Sequence, residues 1–222
     1  MSNKSLVVAI DGPGGAGKST VAKMLAKELG IRYLDTGAMY RALALKAMRA
    51  GLTRDDGPAA AKIMVSTEIT VRDGEPLRVL LDGEDVNDSI RSLEIGDWAS
   101  SLSTDRVVRS LMVAQQQAII AAGGFVLEGR DTTTVIAPKA DLKVFMTASL
   151  EERARRRMLE LQARGEAVDF QTVRNQIEAR DHRDITRHNS PLKVAEDAKI
   201  VETAGRTPDE VAAIIKSFAV HT

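Results

Sequence analysis

The chain has 222 residues, of which 44% are hydrophobic and 28% are charged, with 31 basic and 31 acidic side chains. This composition indicates one globular domain rather than a disordered chain or two independent domains, and the zero net charge predicts no nucleic-acid partner. The lack of Cys, of a signal-peptide pattern and of an apolar run near the ~20 residues that span a bilayer predicts a cytoplasmic protein with no membrane partner and no thiolate metal site.

The first predicted elements are a strand and a helix. Leu6–Ile10 is a continuous apolar run, which is typical of a central parallel strand buried on both faces. From Lys18 to Leu29 the apolar residues recur at helical spacing, and Gly30 stands where a left-handed cap ends a helix. A glycine-rich loop therefore joins the strand to the helix.

This loop fits the pattern G-x-x-x-x-G-K-[ST], in which backbone N–H groups and a helix N-terminus surround nucleotide phosphates. We predict that Lys18 contacts the β- and γ-phosphates of ATP and that the Ser19 hydroxyl is a ligand of Mg²⁺. The predicted nucleotide-binding residues are Gly12, Pro13, Gly14, Gly15, Ala16, Gly17, Lys18, Ser19 and Thr20. The guanine-reading motif Asn-Lys-x-Asp of GTPases is absent, so the phosphoryl acceptor must be sought in the rest of the chain.

A second polar segment, Asp35–Arg41, follows the predicted strand Ile31–Leu34. Thr36 and Arg41 are therefore expected at the carboxyl end of the sheet, where ligands of open α/β folds bind, and Arg41 could meet a second anion. The alternative is a simple turn and helix cap with Tyr40 half-buried.

The next segment departs from the alternation of strand and helix. Glu68–Asp73 and Leu77–Leu81 flank the turn sequence Asp-Gly-Glu-Pro and predict an antiparallel hairpin. We interpret it as an insertion that packs on the core and shares its site.

Gly129, Arg130 and Asp131 follow the predicted strand Phe125–Leu127, so a cation and a carboxylate are expected beside the phosphate loop. A surface ion pair is the alternative for Arg130 and Asp131. Glu128, which ends this strand, either orients Mg²⁺ through water or caps the turn.

The remaining pattern continues the alternation. Strands are predicted at Leu142–Met146 and Ile200–Val201, and helices at Asp105–Ala122, Leu150–Ala163 and Pro208–Phe218. Alternating strands and helices predict an α/β fold with a parallel sheet flanked by helices.

Arginines are dense in the helix that begins at Leu150. Arg153, Arg156 and Arg157 share one face by the i, i+3, i+4 rule, whereas Arg155 points elsewhere. The shared face could close over a triphosphate as a mobile lid and supply charge in the transition state.

Arg180, Asp184 and Arg187 also share one helical face, with Asp181 and Arg183 displaced from it. The functional interpretation is a clamp for a sugar phosphate. The alternative is an exposed ladder of ion pairs, worth a few tenths of a kcal/mol per pair.

Together these residues resemble bacterial cytidylate kinases, the CMP/dCMP kinases of the nucleoside monophosphate kinase group. The resemblance spans nearly the whole chain. It rests on Asp11-Gly12-Pro13, Leu34–Arg41, Asp82–Val86 with Ile90-Arg91, Glu128–Asp131, Glu151–Ala154 with Arg156-Arg157, Arg180-Asp181 with Arg183-Asp184, and Ser190-Pro191-Leu192.

The resemblance implies a P-loop NTPase-type core within a single kinase domain, residues 1–222. Its core would comprise 1–35, 104–150 and 168–222, its monophosphate-binding region with the hairpin insertion 36–103, and its short helical lid 151–167. The implied base-reading residues are Ser100, Arg109 and Asp131, with Thr36 where the family commonly has Ser. The implied phosphate and ribose contacts are Arg41, Arg130, Arg180, Asp184 and Arg187.

Two departures from the family pattern bear on these assignments. Thr133 stands where the family usually has Gly, which predicts an altered turn after Asp131. The approach to Arg109 also differs from the usual sequence, so Arg106, one turn earlier, competes for its role.

The resulting hypothesis is ATP-dependent phosphorylation of CMP and dCMP by in-line transfer, with Mg²⁺ as cofactor and a monomeric enzyme. Lys18, Arg130, Arg153, Arg156 and Arg157 would neutralise the transferred charge, and Tyr40 would help to bind the acceptor. The alternatives are a kinase for another small acceptor, such as UMP or AMP, and a nucleotide-binding module without turnover.

Overall fold

The computed structural model describes residues 5–72 and 78–219. In chain order the elements are β1 (Val7–Asp11), α1 (Lys18–Leu29), β2 (Arg32–Asp35), α2 (Thr36–Arg49), α3 (Gly57–Val65), β3 (Ile69–Arg72), β4 (Arg78–Leu81), β5 (Glu84–Asp85), α4 (Leu93–Leu102), α5 (Arg106–Ile120), β6 (Phe125–Gly129), β7 (Leu142–Thr147), α6 (Leu150–Ala163), α7 (Phe170–Thr186), β8 (Lys199–Glu202) and α8 (Pro208–Ala219). A π-helical turn, Thr132–Ile136, follows β6.

The main sheet is parallel, with strand order β2-β6-β1-β7-β8. Alternate residues of the central strand face opposite layers: Ala9 packs with α2 and α5, whereas Val8 and Ile10 pack with α1 and α8. All three are fully buried, as the continuous apolar run predicts. The α/β prediction is confirmed.

The register of this sheet sets the position of the site. Asp11 at the end of β1 lies opposite Gly129 of β6, and Asp35 at the end of β2 lies opposite Glu128. The carboxyl ends of three neighbouring strands therefore meet at one edge, where α/β folds bind their ligands.

The predicted insertion forms an antiparallel sheet of order β3-β4-β5 in the part of the chain that is described. Ile69 pairs with Leu81 and Arg72 with Arg78, in agreement with the predicted hairpin, whose turn lies outside the described residues. The third strand was not predicted. It is two residues long and follows a tight turn in which Asp82 and Gly83 both have positive φ, 49° and 85°.

Helices α6 and α7 form a hairpin with a small core of its own, built from Ala154, Leu161, Val173 and Ile177. The bounds predicted for α6 agree with the structure, and Ser149 caps it by accepting a hydrogen bond from the Glu152 amide at 3.2 Å. This hairpin places the Arg-rich face of α6 and the clamp face of α7 beside the phosphate loop.

No helix within residues 5–72 and 78–219 is long and apolar enough to cross a membrane.

Candidate active site

The phosphate loop connects β1 to α1. Gly12 has φ 149° and Gly15 has φ 78°, and a Cβ on Gly12 would clash with the carbonyl oxygen of Met146. Glycine is required at these positions because other residues would be strained or would clash. Gly17 caps α1 without a side-chain hydrogen bond, so the first N–H groups of the helix remain available to an anion.

Lys18 is 5% exposed and its Nζ donates a hydrogen bond to the carbonyl oxygen of Pro13 at 2.8 Å. Burial, together with the nearby Arg130 guanidinium, lowers the pKa of Lys18 to about 7. Burial of the charged ammonium in the loop therefore costs desolvation free energy, which the negative charge of a bound polyphosphate would offset.

Binding of MgATP at pH 8 is expected to take up protons, because Lys18 is largely neutral at that pH without nucleotide and the phosphates favour its charged form. Calorimetry in buffers of different ionisation enthalpy measures this uptake. The Lys18→Met variant removes only this titrating group, so its uptake should be smaller than that of the wild type. Equal uptake by both proteins would contradict the assignment.

The Glu128 carboxylate contacts Ser19, and the Asp35 carboxylate lies near that of Glu128. The Ser19 hydroxyl donates to Glu128 Oε1 at 2.7 Å, and burial and the neighbouring Asp35 raise the pKa of Glu128. Mg²⁺ binds through one or two protein oxygens with phosphates and waters completing its shell. Among the described residues no group of three or more His, Asp or Glu could hold a metal alone, and the set of Ser19, Glu128 and Asp35 fits Mg²⁺ that arrives with nucleotide phosphates.

Three arginines line the middle of the site: Arg41, Arg130 and Arg180. Arg130 Nε donates to Asp184 at 2.9 Å, whereas the buried Nε atoms of Arg41 and Arg180 have no hydrogen-bond partner within the described residues. Burial and the Arg130 charge lower the pKa of Arg180 to about 9. A cluster of buried arginines of this kind would be stabilised by a bound anion such as a phosphate group.

The clamp on α7 is buried rather than an exposed ladder. Asp184 is 3% exposed and lies 3.4 Å from Arg187 and 3.9 Å from Arg180, in addition to its hydrogen bond with Arg130. These cations lower the pKa of Asp184 despite its burial. One carboxylate therefore holds three of the arginines predicted to contact the acceptor.

At the far end of the site, Arg109 and Asp131 form an ion pair of 2.9 Å whose side chains are each 4% exposed. Arg187 lies 3.9 Å from the other oxygen of Asp131, and the Arg109 guanidinium stands 5.5 Å from the centre of the Tyr40 ring. Burial, only partly offset by these cations, raises the pKa of Asp131. Tyr40 is buried rather than half-buried, and its hydroxyl has no partner among the described residues.

Thr36 and Ser100 complete this end of the site. The Thr36 hydroxyl donates to the carbonyl oxygen of Glu128 at 2.8 Å, and Ser100 Oγ accepts from Arg183 Nε at 3.1 Å. Arg183 also contacts Asp97 at 2.6 Å, so α7 fixes Ser100 on α4. The Asp35 carboxylate accepts a hydrogen bond from the Ala38 amide and so caps α2. The segment therefore forms the helix cap that was the alternative interpretation, and Thr36 also lines the site.

These groups line one cavity of about 1410 Å³. The phosphate loop, Arg41, Arg130, Arg180, Arg109 and Asp131 all line it. Arg130 and Arg180 act on Lys18 at one end and contact Asp184, which is linked through Arg187 to Asp131 at the other end. A single small-molecule site usually has roughly 300–1,000 Å³, so this cavity has room for a nucleotide and a second ligand.

A family model described as cytidylate kinase matches residues 8–220. The chain belongs to the cytidylate kinase family. A cytidylate kinase of Geobacter sp. (strain M21) is 48% identical over 207 residues, which cover 93% of this chain and 89% of the relative. A cytidylate kinase of Pelotomaculum thermopropionicum is 48% identical over 210 residues, covering 94% and 93% of the two chains.

A solved structure of an uncharacterised protein from Eubacterium ventriosum ATCC 27560 shares the fold. It covers 98% of this chain and 100% of its own at a TM-score of 0.55 with 13% identity, which supports the fold alone.

The structure shows the surroundings of both departures from the family pattern, at Arg106 and at Thr133. Arg106 is exposed at the start of α5, whereas Arg109 is buried against Asp131, so Arg106 does not occupy the position expected of a base reader. The only positive φ values of non-glycine residues in the described ranges belong to Asp82 and Ser190, so the backbone at Thr133 does not require glycine. Instead, the Thr133 hydroxyl donates to Asp11 at 2.6 Å.

The three arginines of the predicted lid face differ in their surroundings. Arg153 is buried, and its guanidinium donates to the carbonyl oxygens of Ala148 and Gly14 at 3.0 and 2.9 Å. Arg156 donates to Thr203 Oγ1 at 2.9 Å, and its Nη1 would lie 3.9 Å from a Cβ on Gly17, whereas Arg157 forms an ion pair of 2.8 Å with Glu160.

Sequence reasoning missed Asp181, because its position on the helix is displaced from the clamp face. Its carboxylate accepts from the Gly14 amide at 3.2 Å and from the Arg153 guanidinium. Asp181 thereby links α7 to both the phosphate loop and α6. The adjacent Arg180-Asp181 pair in the family pattern was the available signal, but helical periodicity alone could not show which loop this side of α7 meets.

Proposed function

We propose that this protein transfers the γ-phosphoryl group of ATP to CMP and dCMP, giving ADP with CDP or dCDP. The observation that carries the proposal is the arrangement of the cavity: a phosphate loop at one end, the buried Arg109–Asp131 pair at the other, and Arg41, Arg130 and Arg180 between them. An acceptor whose base lies against Asp131 would place its phosphate among these arginines, on the side of Lys18.

No general base is required for this transfer. A phosphate monoester is mostly dianionic at pH 7, so its oxygen can attack the γ-phosphorus directly, and catalysis consists of positioning and charge neutralisation. Lys18, Arg130 and Arg180 would hold the two phosphates in line against their mutual repulsion. Asp184 would keep Arg130 and Arg180 oriented, since it contacts both.

Mg²⁺ is proposed as the cofactor, held by Ser19 with Glu128 and Asp35 nearby. When bound with ATP it neutralises charge on the β- and γ-phosphate oxygens. The Ser19 hydroxyl donates a hydrogen bond to Glu128 Oε1, so the two oxygen atoms that would face Mg²⁺ lie together at the N-terminus of α1.

Asp131 would select the base. A carboxylate accepts a hydrogen bond from the exocyclic amine of cytosine, whereas the corresponding carbonyl of uracil would leave a buried acceptor facing an acceptor. Arg109 and Arg187 would orient this carboxylate, and their charges favour its ionised form against the effect of burial. Thr36, Tyr40 and Ser100 would complete the contacts with the nucleoside.

The proposal includes lid closure by residues 151–167, which would exclude water from the transferred group. It also includes the division into a core and an inserted monophosphate-binding region, 36–103. A cytoplasmic location is supported by the zero Cys count. A monomer is supported by the scatter of the exposed large hydrophobic side chains of the described residues, no two of which share a helix or strand: Val65, Val107, Leu159, Ile185, Val194 and Ile200.

The test is ADP release measured with MgATP and a panel of CMP, dCMP, UMP, AMP and GMP, with a sample lacking acceptor as the baseline. We expect CMP and dCMP to exceed UMP in kcat/KM by at least about tenfold, the value of one mispaired buried polar group. UMP or AMP turned over as well as CMP would overturn the cytosine selectivity. No turnover with any acceptor would favour a binding module.

A further inference from the structure

Asp11 at the end of β1 is fully buried and accepts four hydrogen bonds from only two residues. Its Oδ1 accepts from the amide and hydroxyl of Thr132, both at 2.8 Å. Its Oδ2 accepts from the amide and hydroxyl of Thr133 at 2.8 and 2.6 Å. Each carboxylate oxygen therefore accepts hydrogen bonds from both the amide and the hydroxyl of one threonine.

This contact joins a rigid element to an irregular one. Asp11 belongs to the central strand, which pairs with a strand on each side. Thr132 and Thr133 begin the π-helical turn, and Asp131 immediately precedes it with φ −142° and no side-chain cap. The carbonyl oxygen of Asp131 accepts from the amides of Val135 and Ile136, so its backbone position depends on that turn.

We infer that Asp11 is a positioning residue for base selection, which fixes the Asp131 carboxylate through Thr132 and Thr133. The inference rests on the proposed function, in which Asp131 reads the base. Buried carboxylates hold a backbone turn firmly when every lone pair is satisfied, as the four donors achieve here. The hydroxyl of Thr133 supplies a donor that glycine at this position would lack.

The threonine run provides its own matched control. Thr132 and Thr133 bind Asp11, whereas the buried hydroxyl of the next residue, Thr134, has no hydrogen-bond partner within the described residues. Replacement by valine removes the hydroxyl at nearly constant volume. Thr133→Val should therefore weaken the anchor, and Thr134→Val should not.

The measurement is kcat/KM for CMP and for UMP, together with KM for ATP and the thermal midpoint of each variant. Thr133→Val is expected to lower the CMP to UMP ratio by about tenfold, the cost of one hydrogen bond to a charged group, with a smaller change in KM for ATP. Thr133→Ser should restore the ratio because it keeps the hydroxyl. A loss of stability alone would lower the thermal midpoint without changing the ratio, which would overturn the inference.

The Asp131→Asn variant separates this inference from the proposed function. A changed ratio in Asp131→Asn with an unchanged ratio in Thr133→Val, at equal folding, would overturn the role of Asp11 and leave base reading by Asp131 intact. An unchanged ratio in Asp131→Asn would overturn both. If Thr133→Val does not fold, Thr132→Val tests the other oxygen of Asp11 by the same ratio.

Discussion

Replacement of Lys18 by Ala is expected to lower kcat by about three orders of magnitude, because in the proposed mechanism this buried ammonium neutralises the transferred charge. The KM for CMP should change little, since the proposed acceptor contacts are the arginines and Asp131 rather than Lys18. Steady-state ADP release at saturating CMP measures the effect.

The fold should survive this substitution. Burial lowers the pKa of Lys18, so the ammonium destabilises the folded state at pH values below about 7, where it is charged in both states. Because the pKa of Lys18 is lower in the folded state, the unfolded chain binds more protons between pH 7 and pH 10.5. The destabilisation of the folded state by Lys18 therefore decreases as the pH rises from about 7 toward 10.5. Lys18→Ala should therefore show an equal or higher thermal midpoint at pH 6.

Lys27→Ala, on the exposed side of the same helix, is the matched control and should retain wild-type kcat. A Lys18→Ala protein that keeps kcat within tenfold of the wild type would contradict the role of Lys18 in transfer. A fall in the thermal midpoint at pH 6 would instead contradict the argument about its burial.

Local patterns predicted the phosphate loop and the sheet correctly because their signals are contiguous. The strand, the glycines and the helix lie within residues 6–30, and the turn geometry needs glycine at Gly12 and Gly15. β5 was missed for the opposite reason: two residues carry no periodicity. The turn at Asp82-Gly83 before it was the stronger signal.

The site residues that sequence reasoning could not place are those whose partners lie far along the chain. Asp181 binds Gly14 across 167 positions, and Asp11 binds Thr133 across 122. The family resemblance implies Arg109 as a base-reading residue, and only the packing of α5 distinguishes it from Arg106. One turn of helix separates the buried guanidinium of Arg109 from the exposed one of Arg106. Long-range pairings of this kind follow from tertiary packing, which local propensity does not encode.

Replacement of Asp184 by Ala is expected to be the most destabilising of the substitutions considered, because the carboxylate is the shared partner of Arg130, Arg180 and Arg187. Removing one partner of a buried ion pair costs about 3–5 kcal/mol, since the remaining charges stay buried and uncompensated. At about 2–4 °C per kcal/mol for a chain of this size, the thermal midpoint should fall by roughly 6–20 °C.

The dependence of this effect on pH and on anions tests its cause. The pKa of Asp184 is lowered, so its stabilisation is present above the unfolded pKa of about 4 and is lost as pH falls through the lower folded value. The gap between wild type and Asp184→Ala should therefore narrow below pH 4. Inorganic pyrophosphate should raise the midpoint of Asp184→Ala more than that of the wild type, because an anion among these arginines replaces the missing charge.

The control for Asp184 is an exposed ion pair of similar length. Glu28 and Lys216 lie 2.8 Å apart and are each exposed by more than 40%, so Glu28→Ala should change the free energy of unfolding by less than about 1 kcal/mol. A midpoint for Asp184→Ala as close to wild type as that of Glu28→Ala would show that the arginines do not depend on this carboxylate. The acceptor site would then owe its geometry to the helix packing of α6 and α7, and the proposed orientation of Arg130 and Arg180 by Asp184 would be wrong.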